Sequence, residues 1–483
     1  MTLQDVVIVG SGPNGLAAGV VLARAGLDVT VVERADTIGG GTRTSELTLP
    51  GFRHDVCSSV HPMTLTSKFF REFQIERRVE LLVGDISYAQ PLDPERAAIA
   101  YRDLERTSER LGDDGRAWTS LMAPLVDHTQ GIADFTLSQL LRIPADPVTA
   151  VRFGLRVLEQ GTPAWNLRFR GEEAPALLAG LSAHSIGQMP RLSTSGAGIF
   201  LGALAHAGGW PIPRGGSQSI ADAMADDIRA HGGRVETGIE VTSRADIPPA
   251  RATLFDVSPR ALVRILGDEV PPRYRRALAR FRYGDAVAKI DFALDGEVPW
   301  SNPDLRSAPT LHLGGTRQEV AAAEAAVARG EHPEQPYVLV NQPSVLDDTR
   351  APVGKHVLWA YAHVPHGSTR DVAEAMIRQI ERFAPGFRDR ILAQHYSSAE
   401  DVELYNPNYV GGDISAGAMT IAQLVKRPVV SRDPWRTPIP GVFLSSSSTP
   451  PGTGVHGMAG YWAARSALRH VFGQGMPSLG VAS

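Results

Sequence analysis

The chain has 483 residues, is 43% hydrophobic and 21% charged, and carries a formal net charge of −4. That is ordinary globular composition, long enough for two domains, and the absence of a basic tract excludes nucleic acid as an expected partner. Cys57 is the only cysteine, which excludes an intramolecular disulfide, a CxxC redox pair and a cysteine-rich metal site; it is expected to be a small buried hydrophobe in a reducing cytoplasm.

The first element lies in "VVIVGSGPNGLAAGVVLARAGLDVTVVERADTIGGGTRT", Val6 to Thr44. Val6–Val9 predicts a buried parallel strand that leads into Gly10-Ser-Gly12-Pro-Asn-Gly15, a GxGxxG turn. A helix follows over Leu16–Ala25, stopped by Gly26, and Val29–Val32 predicts a second buried strand ending at Glu33. In such a unit Gly10 allows the tight turn, Gly12 admits a pyrophosphate and Gly15 lets the helix approach the sheet; Glu33 is placed to bind a ribose diol. A signal peptide would need a basic leading region, and a membrane span would not tolerate Arg24 and Asp28, so neither is expected.

Farther along, residues 65–205 predict helices, such as Trp118–Ile132 and Ala174–His184. Pro213–Arg244 reads as a glycine turn, an amphipathic helix stopped at Gly232-Gly233 and a strand through Val241. Residues 278–430 hold strand-like runs, "AVAKIDFAL" and "PYVLVNQ", then a helix with Val372, Met376, Ile380 and Phe383 on one face. Pro440–Leu468 predicts a strand, a Pro/Gly loop and a last helix. The expected partition is a nucleotide domain of residues 1–64, 206–277 and 431–475, a substrate domain of residues 65–205 and 278–430 with a sheet floor and helical walls, and a flexible tail, 476–483.

The second glycine cluster, Gly39-Gly40-Gly41, followed by Arg43 and Thr44, suits a longer dinucleotide than NAD. This extended pattern resembles the FAD-binding fingerprint of the amine-oxidase and carotenoid-desaturase superfamily. "TPIPGVFLSSSSTPPGTGVHGMAGYWAARSAL" resembles that superfamily's last flavin contact, and "FAPGFRDRILAQHYSSAEDVELYNPNYVGGD" resembles its phytoene-desaturase-like subgroup. The resemblance implies an α/β, p-hydroxybenzoate-hydroxylase-like two-domain fold, with a Rossmann-like FAD-binding domain and a discontinuous α+β substrate domain. It implies non-covalent FAD on Gly10, Gly12, Pro13, Asn14, Gly15, Glu33, Arg34, Gly40, Gly41, Thr42 and Arg43. His61 would then line the flavin, Val241 would meet the adenine end, and Gly457 and Met458 would lie against the isoalloxazine. Ser446-Ser447 stands where many relatives carry an acid on the ribityl chain, with Ser447 the expected contact. Val455 falls near the aromatic cage residue of amine oxidases, which makes amine oxidation less expected.

The implied activity is an FAD-dependent dehydrogenase or desaturase that takes hydride from a largely apolar, carotenoid-like or lipid substrate. The alternatives are a flavin-dependent polyene isomerase, an amine oxidase and, outside enzymes, a prenyl-protein escort-like binding protein. With no second GxGxxG turn, a nicotinamide nucleotide is not expected as donor or acceptor, which leaves dioxygen or a quinone. His456, next to the flavin loop, is a candidate for proton transfer or substrate orientation, although a packed loop histidine is the commoner outcome. Lys289, in "AVAKIDFAL", is a second candidate by likeness to a strand lysine that reaches flavin through water in some amine oxidases. No metal motif is present. The cytoplasm is the expected compartment, with a peripheral contact between the helical insert and a membrane left open.

Overall fold

Runs of β-branched residues buried on both faces make parallel strands, and the chain obeys this at its start. In the computed structural model, which describes residues 3–481, β1 (Gln4–Val9) and β2 (Val29–Val32) pair in parallel with Val6 opposite Val29. Helix α1 (Pro13–Arg24) crosses between them. Ala250–Phe255 pairs with the other edge of β1, Val442–Leu444 lies beyond it, and Arg234–Glu236 pairs with β2, which completes a five-stranded parallel sheet. Leu16, Val20 and Val21 of α1 are fully buried. The last helix, Met458–Ala467, packs on α1 so closely that a Cβ on Gly460 would lie 1.8 Å from the Asn14 carbonyl oxygen, a crossing that glycine alone permits.

The second sheet has seven strands, in the order Ile391–Ser397, Ala286–Leu294, His356–Val364, Val338–Asn341, Thr310–Leu313, Ile86–Pro91 and Ala97–Tyr101. Neighbours are antiparallel except Thr310–Leu313 and Ile86–Pro91, which run parallel. Helix Ala373–Phe383 covers one face with Met376, Ile380 and Phe383, while helices Glu173–Ala183 and Leu192–Ala207 stand against the other side. A buried ion triad ties the Asp55 segment to the second sheet's loops: Arg350 lies 3.0 Å from Asp55 and 2.7 Å from Asp347. Burial alone would raise the Asp55 carboxyl, but Arg350 and three hydrogen-bond donors hold it below its ordinary value.

Several expectations need correction. The stretch expected to be helical contains the hairpin Ile86–Pro91 and Ala97–Tyr101, closed where the Asp93 carboxylate accepts from the Glu95 and Arg96 amides at 3.0 and 2.7 Å. Trp118–Ile132 is split between helices Gly115–Val126 and Thr129–Thr136. The strand expected through Val241 stops at Glu236, because Gly238 turns the chain at φ 72°. The expected flexible tail packs down over residues 476–481: Leu479 is 2% exposed and Arg24 donates to the Gly480 carbonyl at 2.8 Å. Residues 482 and 483 lie outside the described residues.

Candidate functional site

The glycine turn builds the site's first wall. Gly10 sits at φ 101°, and a Cβ on Gly15 would lie 2.1 Å from the Gly10 carbonyl oxygen, so the turn closes only with glycine at both positions. Gly12 caps α1, and Pro13 opens the helix where its missing N–H costs nothing. The start of this helix lines a narrow cleft of about 160 Å³, together with Gly40, Arg43, Val241 and Ser447.

Glu33 stands in this cleft, held by four donors: the Ser11 amide at 3.0 Å, the Ser11 hydroxyl at 2.7 Å, the Ala35 amide at 2.9 Å and Arg43 at 3.1 Å. Arg43 also bonds the Thr37 carbonyl and lies over the Tyr405 ring, 5.3 Å from its centroid. Arg34 is exposed at the rim and donates to the carbonyls of Leu404 and Tyr405. Thr42 is correctly placed in sequence but not in space: its hydroxyl donates to the Gly39 carbonyl at 2.8 Å, which braces the turn, and it does not line the cleft.

Sequence reasoning missed Asp256 and Tyr405. Asp256 follows strand Ala250–Phe255, and its Oδ2 accepts from the Gly15 amide at 2.9 Å beneath the glycine turn. Burial raises its carboxyl to about 7, and the nearby Glu33 charge adds to the rise. An acid ending an apolar strand-like run, "ATLFD", was the available signal. Tyr405 closes the cleft from the opposite side and donates to the Gly40 carbonyl at 2.7 Å.

The cleft opens into a larger chamber of about 550 Å³, and the two meet at Pro13, Asn14, Gly41, Tyr409 and Ser447. Asn14 donates to the Ser447 hydroxyl at 3.3 Å, while its Oδ1 is buried without a partner. The chamber wall is largely apolar, with Phe153, Phe200, Leu201, Leu339, Trp359 and Met419 among its residues. Among the described residues that line it there is no Asp, Glu, Lys or Arg. His61 is part of the wall; Ser217 gives its own hydroxyl proton to the Ser58 carbonyl and accepts from His61 Nε2 at 2.7 Å. Burial lowers His61 to about 4, which keeps the ring neutral. Cys57 also lines the chamber and is half-buried, a correction to its expected place in the core.

Both catalytic candidates face elsewhere. The His456 ring is fully enclosed: Nδ1 accepts from the Met458 amide at 3.0 Å and Nε2 reaches the Gly452 carbonyl at 3.2 Å. Nδ1 is thus spent on the start of the last helix and Nε2 on the loop before it, and burial lowers the group to about 4. Lys289 is buried, ion-paired with Asp291 and 5.5 Å from the centroid of Trp359, whose indole stands in the chamber wall where the lysine does not. Gly457 and Met458 also fall behind the wall. Gly457 turns the chain at φ 66° against Phe69, and Met458 sulfur lies 3.4 Å from the Phe69 nitrogen. The residues just before them that reach the chamber are Pro451, Thr453, Gly454 and Val455.

Comparison with known proteins agrees with this geometry. Residues 8–73 match the family described as NAD(P)-binding Rossmann-like domain. The opening unit is Rossmann-like in sequence as in fold. Over 96% of the chain and 93% of the relative, the sequence is 25% identical to the rat (Rattus norvegicus) pyridine nucleotide-disulfide oxidoreductase domain-containing protein 2. It is also 25% identical to a phytoene dehydrogenase of Streptomyces griseus, across 81% of this chain and 78% of that one. The structure of putrescine oxidase bound to putrescine superposes with a TM-score of 0.58 and 17% identity, covering 98% of this chain and 100% of that chain. The fold is therefore the amine-oxidase-type two-domain architecture expected from the sequence.

Proposed function

We propose that this chain is an FAD-dependent oxidoreductase that removes hydride from a largely apolar substrate. The observation that carries the reading is the junction: the cleft at the glycine turn opens directly into an apolar chamber, so one end of a dinucleotide bound there would meet whatever the chamber holds. The residues fit FAD. Gly12 lines the cleft at the start of α1, where a phosphate group would lie, Glu33 is placed for a ribose, and the orphaned Asn14 Oδ1 waits at the junction. When bound, FAD supplies hydride acceptance; the protein supplies orientation, exclusion of water and fixed polar groups.

The absence of any acid from the described chamber wall favours an apolar substrate over an amine, because a cationic substrate would be desolvated there without a counter-charge. Likeness to a phytoene dehydrogenase supports a carotenoid-like or lipid substrate. Dithiol chemistry, which the name of the rat relative suggests, has no place here, since Cys57 stands alone. Dioxygen or a quinone entering the chamber would take up the electrons. The protein is expected to purify yellow, with a band near roughly 450 nm. Under nitrogen, an apolar polyene or lipid should bleach it while NADH and NADPH should not; rapid saturable bleaching by a nicotinamide nucleotide overturns this assignment. A colourless preparation that takes up no FAD would favour the escort-like binding protein instead.

Asp256 makes a separate expectation. Its carboxyl lies under the same helix start that would face the pyrophosphate, and two anions there repel. FAD should therefore bind more weakly as pH rises through about 7 and Asp256 ionises. In Asp256→Asn the dissociation constant should be nearly flat from pH 6 to 8.5 and lower than in the native protein at the alkaline end. Parallel pH profiles for the two proteins, followed by quenching of FAD fluorescence, would exclude this role.

A further inference from the structure

Helix α2 (Pro147–Gln160) has two apolar faces, and only one of them is covered. Ala150, Phe153, Gly154 and Val157 line the chamber. On the opposite side Val148, Val151, Leu155 and Leu158 are 59%, 62%, 60% and 51% exposed, at a spacing that puts them in one stripe along the helix. The flanking segments carry two more exposed apolar residues, Ile143 at 91% and Leu167 at 83%. Singly scattered apolar residues are common on protein surfaces, whereas a continuous stripe of this kind marks a site of association.

We propose that this face docks on an anionic lipid bilayer, with α2 lying in the plane of the interface. Charge selects the partner. Between residues 137 and 170 stand five arginines and two acids, in a chain whose net charge is −4. Both acids are engaged: Asp146 caps α2 through Thr149, and Glu159 pairs with Arg168. Arg142, Arg152 and Arg170 are exposed and make no ion pair among the described residues. An apolar stripe with Arg152 on the same helix and Arg142 and Arg170 in the segments that flank it, Arg142 over the Trp462 ring, suits acyl chains below anionic headgroups, and it disfavours a symmetric contact with a second copy, which would bring like charges together. At 14 residues α2 is about 21 Å long, and no described helix is long and apolar enough to cross a membrane, so the contact is peripheral.

The chamber opens beside this surface. Ile421 both lines the chamber and is 44% exposed, which places it at the mouth, and Gln139 donates to the Ser431 carbonyl, which ties the α2 loop to the segment after Ile421. An apolar molecule could pass from the bilayer past α2 into the chamber without crossing water. That route rests on the proposed substrate class; the docking itself does not.

The test uses the full chain and sedimentation with vesicles of phosphatidylcholine alone or mixed with phosphatidylglycerol. Binding is expected to the mixed vesicles, to weaken with added salt, and to fall at least tenfold in Val151→Asp/Leu155→Asp and in Arg152→Glu/Arg170→Glu. Both exposed double variants should keep the native flavin content and melting temperature, which separates failure of docking from failure of the cofactor assignment. Absence of the native protein from mixed-vesicle pellets overturns the proposal. So does light scattering that shows a native dimer converted to monomer by Val151→Asp/Leu155→Asp, which would assign the face to a second copy.

Discussion

Gly12→Val is expected to fold normally and to purify without colour. The backbone at Gly12 has φ −65° and ψ 172°, values any L-residue adopts, so the substitution does not break the turn. The new Cβ would lie 2.6 Å from Asp256 Oδ2, and the carboxylate could move aside by giving up its bond from the Gly15 amide, a cost of about 1 kcal/mol. The isopropyl group and the displaced carboxylate would, however, both crowd the cleft wall where the glycine backbone would meet a pyrophosphate, and FAD affinity should fall by roughly 10²-fold or more. Gly15→Ala makes the contrast: its Cβ would meet the Gly10 carbonyl oxygen at 2.1 Å, backbone against side chain with nothing free to move, so both stability and colour should be lost. The ratio of flavin to protein and a thermal melt by circular dichroism read the two effects separately. Stoichiometric FAD in folded Gly12→Val would remove the cleft as its site.

The strand, turn and helix of the opening unit were legible because their chemistry is local: glycine spacing and β-branched runs act within a few residues of each other. The opposite wall was not. Asp256 reaches the turn only because Ala250–Phe255 pairs with β1, and Tyr405 arrives at the end of helix Ala399–Tyr405, outside the sheet; no spacing rule connects them to Gly12. The chamber was equally hidden, because Phe153, Leu201, Trp359 and Met419 come from four separate elements or loops and each alone reads as core. His456 was misread by treating closeness in sequence as closeness to the chamber; Val455 faces it, and the next ring turns inward to cap the helix. Lys289 carried an unused clue. Asp291, two residues on, shares its face of the strand, so an ion pair was the natural outcome for a lysine buried there.

Acid should unfold this protein through its buried histidines, at or slightly above the pH at which carboxylates usually titrate. Four histidines with almost no exposure are held neutral by burial: His54 is lowered to about 3, and His61, His206 and His456 to about 4. His312, also enclosed, is lowered well below its ordinary value. In the unfolded chain each returns to about 6.5, so below that pH the unfolded state binds protons that the folded state refuses. The stability associated with neutral burial is therefore complete above about pH 6.5 and is lost as pH falls toward the folded values. At pH 5 each of the four costs about 2 kcal/mol, together about 8 kcal/mol, against a total stability of about 5–15 kcal/mol. Asp256, raised to about 7, works in the opposite direction and offsets about one histidine's share, because the folded state takes up its proton first. Cooperative loss of the helical circular dichroism signal is expected with a midpoint between about pH 5 and 4. His206 supplies the control: its Nδ1 donates to the Tyr101 carbonyl at 2.8 Å and its Nε2 accepts from the Trp118 indole at 3.1 Å, a pairing that a neutral glutamine amide offers without a titrating group. His206→Gln should move the acid midpoint down while leaving the pH 8 melt nearly unchanged. An acid midpoint below pH 3.5 that His206→Gln does not move would assign the transition to carboxylates and sink the histidine account.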